Sequence, residues 1–196
     1  ELGAGRHPLQ GSDCENQAAL TAWYASSLGA RLFASEARSI APVLEKLFGY
    51  HLLFIGACKG IKMIESSPIT HKILLGNRND AWCVGSDVSL FSDPRALALQ
   101  NESIDVVVLH HALEFTESSR TVLREAVRVL RPGGHIVLIT FQPLSLWGLK
   151  RLLLAAIPLR SSVSRQPPWE GRFRHPSRLI DWLGVLDVQE LTSFSA

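Results

Sequence analysis

Three polar side chains stand just past an apolar run: His110, His111 and Glu114 follow Ile104–Leu109. Imidazole titrates near neutral pH, so either histidine could take a proton from a nucleophile. Glu114 could act as a base itself or simply begin a polar helix face. Position makes these residues informative. A short run rich in β-branched residues reads as a buried strand, and α/β sheets bind ligands beyond the carboxyl ends of such strands. Neighbouring residues of an extended chain point in opposite directions. At most one of the two histidines is therefore expected to face a reacting centre, and His111 and Glu114 are the candidate catalytic residues. A second polar group comprises Arg160, Arg165, Arg172, Arg174 and Arg178, with Trp147 and Trp169 close by. Planar guanidinium groups suit carboxylate or phosphate recognition. The same arginines could equally pair with surface carboxylates.

The elements that must position these groups can be read from periodicity. Ser119–Leu130 carries Leu123, Ala126, Val127 and Leu130 at the spacing of a one-faced helix. Arg131-Pro132-Gly133-Gly134 is expected to stop it, and His135–Phe141 to form a second strand. Two buried strands joined by a helix imply a parallel crossover. Upstream, Asn16–Phe48 reads as helical, broken near Gly29 and Pro42. Then come a strand at His51–Ile55, a glycine-marked turn Gly56-Ala57-Cys58-Lys59-Gly60, and a short helix over 61–66. Strands follow at Lys72–Leu75 and Ala81–Val84, with a short helix at Pro94–Gln100. After Phe141 the composition shifts. Helices are expected at Leu144–Ala156 and Ser177–Leu183, and a last strand at Asp187–Phe194. The alternation of strands and helices predicts an α/β chain with a mainly parallel, Rossmann-like doubly wound sheet. Residues 1–15 are expected to be mobile, 16–196 to form one domain, and 142–178 to be an insertion or lid.

Bulk properties narrow the classes. A chain of 196 residues can bury a core as one domain. A net charge of +2 gives no electrostatic case for a nucleic-acid binder, so a small-molecule substrate is favoured. Cys14, Cys58 and Cys83 are an odd set without a CxxC pair, which fits a reducing, cytoplasmic setting better than a disulfide framework. Serine-nucleophile motifs, metal-ligand clusters and a Walker loop are not evident in the sequence, so no metal is expected. Neither a signal peptide nor a transmembrane segment is expected. Leu144–Leu159 is interrupted by Lys150 and Arg151 and is short for a membrane span.

Taken together, LLFIGACKG, GSDVSLFSDP, SIDVVVLHHALEF and VLRPGGHIVLITF resemble, in order, the motifs of class I S-adenosylmethionine (SAM)-dependent methyltransferases, nearest the methyltransferase type 11 group. The resemblance spans Leu52–Phe141. It implies a SAM cofactor and bacterial origin. It places Gly56, Ala57 and Gly60 under the methionine and ribose, Asn77 at the ribose hydroxyls, Asp87 and Val88 at the adenine, and Leu109 and His110 beside the methionine. His111 would face the substrate side. Independently of the resemblance, Trp147, Arg172 and Arg174 could belong to a lid over the substrate pocket. The chain departs from the pattern in three places. Cys58 replaces a glycine, Phe54 an acid, and Asn77 the ribose carboxylate. A charged hydrogen bond is worth about 1.5–3 kcal/mol, so weak SAM binding is expected, on the order of a hundredfold below ordinary members.

Two readings follow. One is a methyltransferase acting on an unidentified acceptor. The other is a catalytically inactive methyltransferase fold kept as a binding or assembly module. The family's closing antiparallel strand is not evident before Ala196, and an open sheet edge would suit a homodimer.

Overall fold

The structure is a computed structural model, and it describes residues 19–56, 60–76, 90–114, 116, 118–141, 176–186 and 188. The described elements are α1 (Ser27–Leu44), β1 (His51–Ile55), α2 (Gly60–Met63), β2 (His71–Gly76), β3 (Leu90–Phe91), β4 (Ile104–His110), α3 (Ser119–Val129), β5 (Leu130–Ile139) and α4 (Pro176–Val185). Residues 19–24 are also helical. The five strands form one sheet in the order β3-β2-β1-β4-β5, and every pair is parallel. The order grows outward from β1 in both directions. It therefore reverses between β1 and β4, the switch point at which sheets of this kind bind ligands.

Side-chain alternation builds a core on each face. Leu53 and Ile55 of β1, with Val107 and Leu109 of β4, meet Val122, Leu123, Ala126 and Val129 of α3 and Leu179 of α4. Leu52 and Phe54, with Val106 and Val108, meet Ile40 and Leu44 of α1 and Met63 of α2. Covering both faces is what lets β1 and β4 be apolar almost throughout. The polar exceptions are His51 and His110 at strand ends and, inside β4, Asp105. Its Oδ2 accepts the backbone N–H groups of Tyr50 (2.8 Å) and His51 (2.9 Å), and its Oδ1 accepts from Arg131 (3.1 Å). Burial alone would raise its pKa, but the His51 and Tyr50 amides and then the Arg131 guanidinium hold it below the usual carboxylate range. One carboxylate thus anchors the start of β1 to β4 and β5. Gly49 permits this, since a Cβ there would lie 2.4 Å from the Asp105 Cβ.

The α/β class, the doubly wound parallel sheet and the β4–α3–β5 crossover agree with the sequence. Several details differ, each for a local reason. The N-terminal helical region breaks at residues 25–26, not at Gly29 or Pro42. Ser26 caps α1 by accepting the Gly29 N–H (3.1 Å), and its hydroxyl donates to the Trp23 carbonyl (2.7 Å). Gly29 is inside the helix because a Cβ would strike the Trp23 carbonyl at 2.3 Å. Pro42 sits in the last turn, near the end of the intrahelical ladder. RPGG does not separate helix from strand. Leu130 already pairs with Ile104, and Arg131–Gly134 bulges out before Val106 pairs with His135. Pro94–Gln100 is not helical. Ser92 accepts the Ala98 N–H and donates to the Ala96 carbonyl, and Asp93 accepts the Arg95 N–H, so side chains take the backbone partners a helix needs. The expected strand at Ala81–Val84, the helix at Leu144–Ala156, and residues 1–15 and 142–175 of the proposed end and lid lie outside the described residues, as does the expected strand at Asp187–Phe194 except for Val188, whose N–H donates to the Leu183 carbonyl (3.0 Å).

Replacing Asp105 by alanine leaves two strand N–H groups without their acceptor. It is expected to cost about 1–3 kcal/mol, read as a lower urea midpoint at unchanged slope. Arg131→Ala, at a half-exposed side chain, should cost less than about 1 kcal/mol.

Candidate functional site

At the switch point, Ile55 pairs with Leu109, which brings Gly56 beside His110. A Cβ on Gly56 would lie 2.6 Å from the His110 carbonyl oxygen and 2.8 Å from its Cβ. Glycine here lets the end of β1 pass against the end of β4. Leu109 points into the α3 face of the core, and His110 to the α1 face, among Tyr24, Phe33 and Phe54.

His110 and His111 do not diverge as extended chain would have them. His111 adopts φ +51°, uncommon outside glycine, and its amide still donates to the Ile139 carbonyl (2.9 Å). The turn swings its ring back towards that of His110, with centroids 4.6 Å apart. Both rings converge on Glu36 from α1. His110 Nε2 lies 3.1 Å from Glu36 Oε2, and His111 Nε2 lies 3.0 Å from Glu36 Oε1. Glu114 closes the far side, with Oε1 3.1 Å from His111 Nδ1. The same oxygen accepts the Phe141 N–H (2.7 Å), and the Phe141 ring stacks on His111 at 3.9 Å. Tyr24 donates to Glu36 Oε2 (3.1 Å). Exposure is 0% for His110, 2% for His111, 3% for Glu114 and 8% for Glu36.

Protonation follows from the partners. Each His111 nitrogen faces a carboxylate oxygen, so the ring carries both protons. Burial opposes this, but Glu114 and Glu36 outweigh it and raise the His111 pKa to about 9. Burial likewise opposes the ionisation of Glu36, yet its bonds to His110 and His111 bring it down to about 2. His110 is held neutral, chiefly by burial and also by the positive charge on His111, against the pull of Glu36. Its Nε2 faces Glu36, so the proton sits there. Nδ1 is left bare, buried and without a partner among the described residues. Burial and then Glu36 push the Tyr24 hydroxyl well above its usual range, so it remains a donor.

Of the residues named from the sequence, the structure gathers Gly56, Leu109, His110, His111 and Glu114 at the ends of β1 and β4. Gly60 begins α2. Ala57, Asn77, Asp87, Val88, Trp147, Arg172 and Arg174 lie outside the described residues. Sequence reasoning missed Glu36 and Tyr24. A signal for Glu36 existed: with Phe33, Ile40 and Leu44 it lies on the i, i+3, i+7, i+11 stripe of α1, where an acid must be buried. The sequence also carries no local metal-ligand spacing, yet Glu36, His110 and His111 bring one ligand atom each to within 4.8 Å of one another. Sequence distance hid this set.

Comparison with known proteins agrees with this geometry. Residues 77–138 match the family described as methyltransferase domain. The chain is 30% identical over 154 residues to the uncharacterized protein YafS of Escherichia coli strain K12, covering 79% of this chain and 59% of that protein. It thus spans about three fifths of that relative's length. Among solved structures, a SAM-dependent methyltransferase from Thermotoga maritima, described as a possible histamine N-methyltransferase, superposes with TM-score 0.63 at 19% identity. That match covers 86% of this chain and 76% of the other. A SAM-dependent methyltransferase from Archaeoglobus fulgidus gives TM-score 0.60 at 21% identity, over 80% and 67%. At such identities the structural likeness concerns the fold. The chain thus has the Rossmann-like fold of these methyltransferases, and its residues 77–138 match the methyltransferase domain.

The network sets a pH window. The raised His111 pKa contributes stability that is fully present below about 6.5 and is lost as pH rises through about 9. The lowered Glu36 pKa contributes stability present above about 4.5 and lost as pH falls towards about 2. His110, held neutral by burial, works the other way, and its contribution is lost as pH falls below about 6.5. Urea-unfolding stability should therefore peak near pH 6.5 and fall on both sides. In Glu36→Gln the decline above pH 6.5 should shrink, because His111 keeps only one charged partner.

Proposed function

We propose that the chain is a SAM-dependent methyltransferase with weak cofactor binding, acting on a small-molecule acceptor. One observation carries the reading: the sheet order reverses at Gly56 and His110, in a chain whose residues 77–138 match the methyltransferase domain. Gly56 lets the end of β1 pass directly against His110, which keeps the backbone bare on its way into the glycine-marked turn. Gly56, Ala57 and Gly60 would lie under methionine and ribose, Asn77 would meet the ribose hydroxyls, and Asp87 and Val88 would hold the adenine. Leu109 and His110 would flank the methionine. When bound, SAM supplies a methyl group activated by its sulfonium.

The chain's own residues then serve mainly to position and to exclude water. His111, doubly protonated between two carboxylates, has no lone pair with which to accept a proton in this arrangement. Its role is a fixed positive charge that holds α1 against the end of β4. Glu114 is occupied by His111 and the Phe141 amide through Oε1, while Oε2 has no partner among the described residues. Of the two catalytic candidates, Glu114 is the one that retains a free acceptor. Methyl transfer needs alignment more than covalent help, so an acceptor arriving with its lone pair free suits this site. Trp147, Arg172 and Arg174 remain candidates for the substrate side. No helix among the described residues is long and apolar enough to cross a membrane, and we place the protein in the cytoplasm. β5 is an edge of the described sheet and would serve a homodimer, for which gel filtration should show a concentration-dependent size.

Burial of every described candidate base favours a second reading, a catalytically inactive fold that binds without turnover. Titration calorimetry with SAM and its demethylated product distinguishes the outcomes. The enzyme reading expects saturable binding weaker than low micromolar, and Asp87→Ala should weaken it by a further factor of about ten or more. Absence of binding to both ligands would remove the enzyme reading. Binding with no methyl transfer to a panel of amines, thiols and hydroxy compounds would support the second.

A further inference from the structure

We propose that Glu36, His110 and His111 form a binding site for one divalent transition-metal ion, Zn²⁺ being the ion of choice, with the Tyr24 hydroxyl at the fourth position. The inference is independent of whether methyl transfer occurs.

The donor set is chemically apt. Two imidazoles and one carboxylate are ordinary zinc ligands, and these three come from two separate elements, α1 and the end of β4. The distances suit an ion as well. Glu36 Oε2, His110 Nε2 and the Tyr24 hydroxyl form a near-equilateral triangle with edges of 3.1, 3.1 and 3.3 Å. Tetrahedral zinc with ligand distances of about 2.0–2.2 Å has ligand–ligand edges of roughly 3.3–3.5 Å. Expansion by a few tenths of an ångström would therefore open one face of a tetrahedron. His111 Nε2, 3.0 Å from Glu36 Oε1, lies within the same 4.8 Å group and supplies the remaining corner.

Two further observations point to a ligand. The first is the support behind His111. Its far nitrogen, Nδ1, meets Glu114, and Glu114 is itself fixed by the Phe141 N–H. A carboxylate behind a histidine is the usual outer support of a metal-bound imidazole, fixing its tautomer and aim. The second is charge. Glu36 and Glu114 are two buried carboxylates that share His111 as their charged partner, with no arginine or lysine on either among the described residues. A divalent ion taking the place of the His111 Nε2 proton would balance both. So closed a site would be structural, fastening residues 19–24 and α1 to the mouth of the sheet.

The test uses the whole chain, stripped with chelator, and adds Zn²⁺ or Co²⁺ alone. One equivalent should bind with submicromolar affinity and raise the melting temperature by several degrees. The Co²⁺ form should show the visible bands of a tetrahedral nitrogen–oxygen site. Glu36→Gln should abolish them, and Glu114→Gln should weaken binding by about ten- to a hundredfold. His51→Ala should change nothing, although the His51 and His71 rings lie 5.4 Å apart. Should Glu36→Gln fail to fold, ¹⁵N-histidine spectra of the intact chain decide. The Nε2 resonances of His110 and His111 should move together at one equivalent of Zn²⁺. No saturable binding by the folded chain, thiolate-to-cobalt bands from the cysteines, or shifts confined to His51 and His71 would overturn the proposal.

Discussion

A charged imidazole held between two buried carboxylates is the constraint on which the mouth of this sheet depends. His111 cannot lose its partners cheaply, because an uncompensated charge in so dry a place costs several kcal/mol. Glu36 must therefore stay at the end of β4, and with it α1. Glu114 must stay beside Phe141, which fixes the exit of the chain from β5. The unusual backbone of His111 is the local cost, of order 1–3 kcal/mol, and what it secures is the convergence of two adjacent side chains on one partner.

The same constraint explains why the apolar parts of the structure are simple and the polar part is not. β1 and β4 need only alternate their side chains between two covered faces, and Leu52–Ile55 and Val106–Leu109 do so. Asp105 at one end and the Glu36 network at the other are the polar clamps across the sheet. The first satisfies backbone donors at the start of β1. The second links side chains and takes in one backbone donor, the Phe141 N–H, so its members depend on one another.

Much of the architecture was legible in the sequence because it rests on local pattern. The i, i+3, i+4 apolar spacing marked α3, and β-branched runs marked β4 and the far part of β5. What pattern could not show was the sense of one backbone turn. A single φ near +51° at His111 decides whether two histidines diverge or meet, and no periodicity encodes it. Glu36 was hidden for a related reason: its meaning depends on a partner far along the chain. The RPGG segment misled differently. Its composition is that of a stop, but tertiary pairing of Leu130 with Ile104 makes it a bulge within a strand.

The acid on the inner stripe of α1 also bears on how the chain assembles. Tyr24 and His110 are 86 positions apart, and Glu36 and His111 are 75 apart. Closing loops of that size is slow compared with forming a helix. During synthesis α1 is complete long before β4 exists. Through that interval a carboxylate interrupts what would otherwise be an unbroken oily stripe, keeping the young helix wetted and less inclined to stick to its neighbours. The residue that later locks the sheet thus first acts as a guard, changing occupation when the histidines arrive.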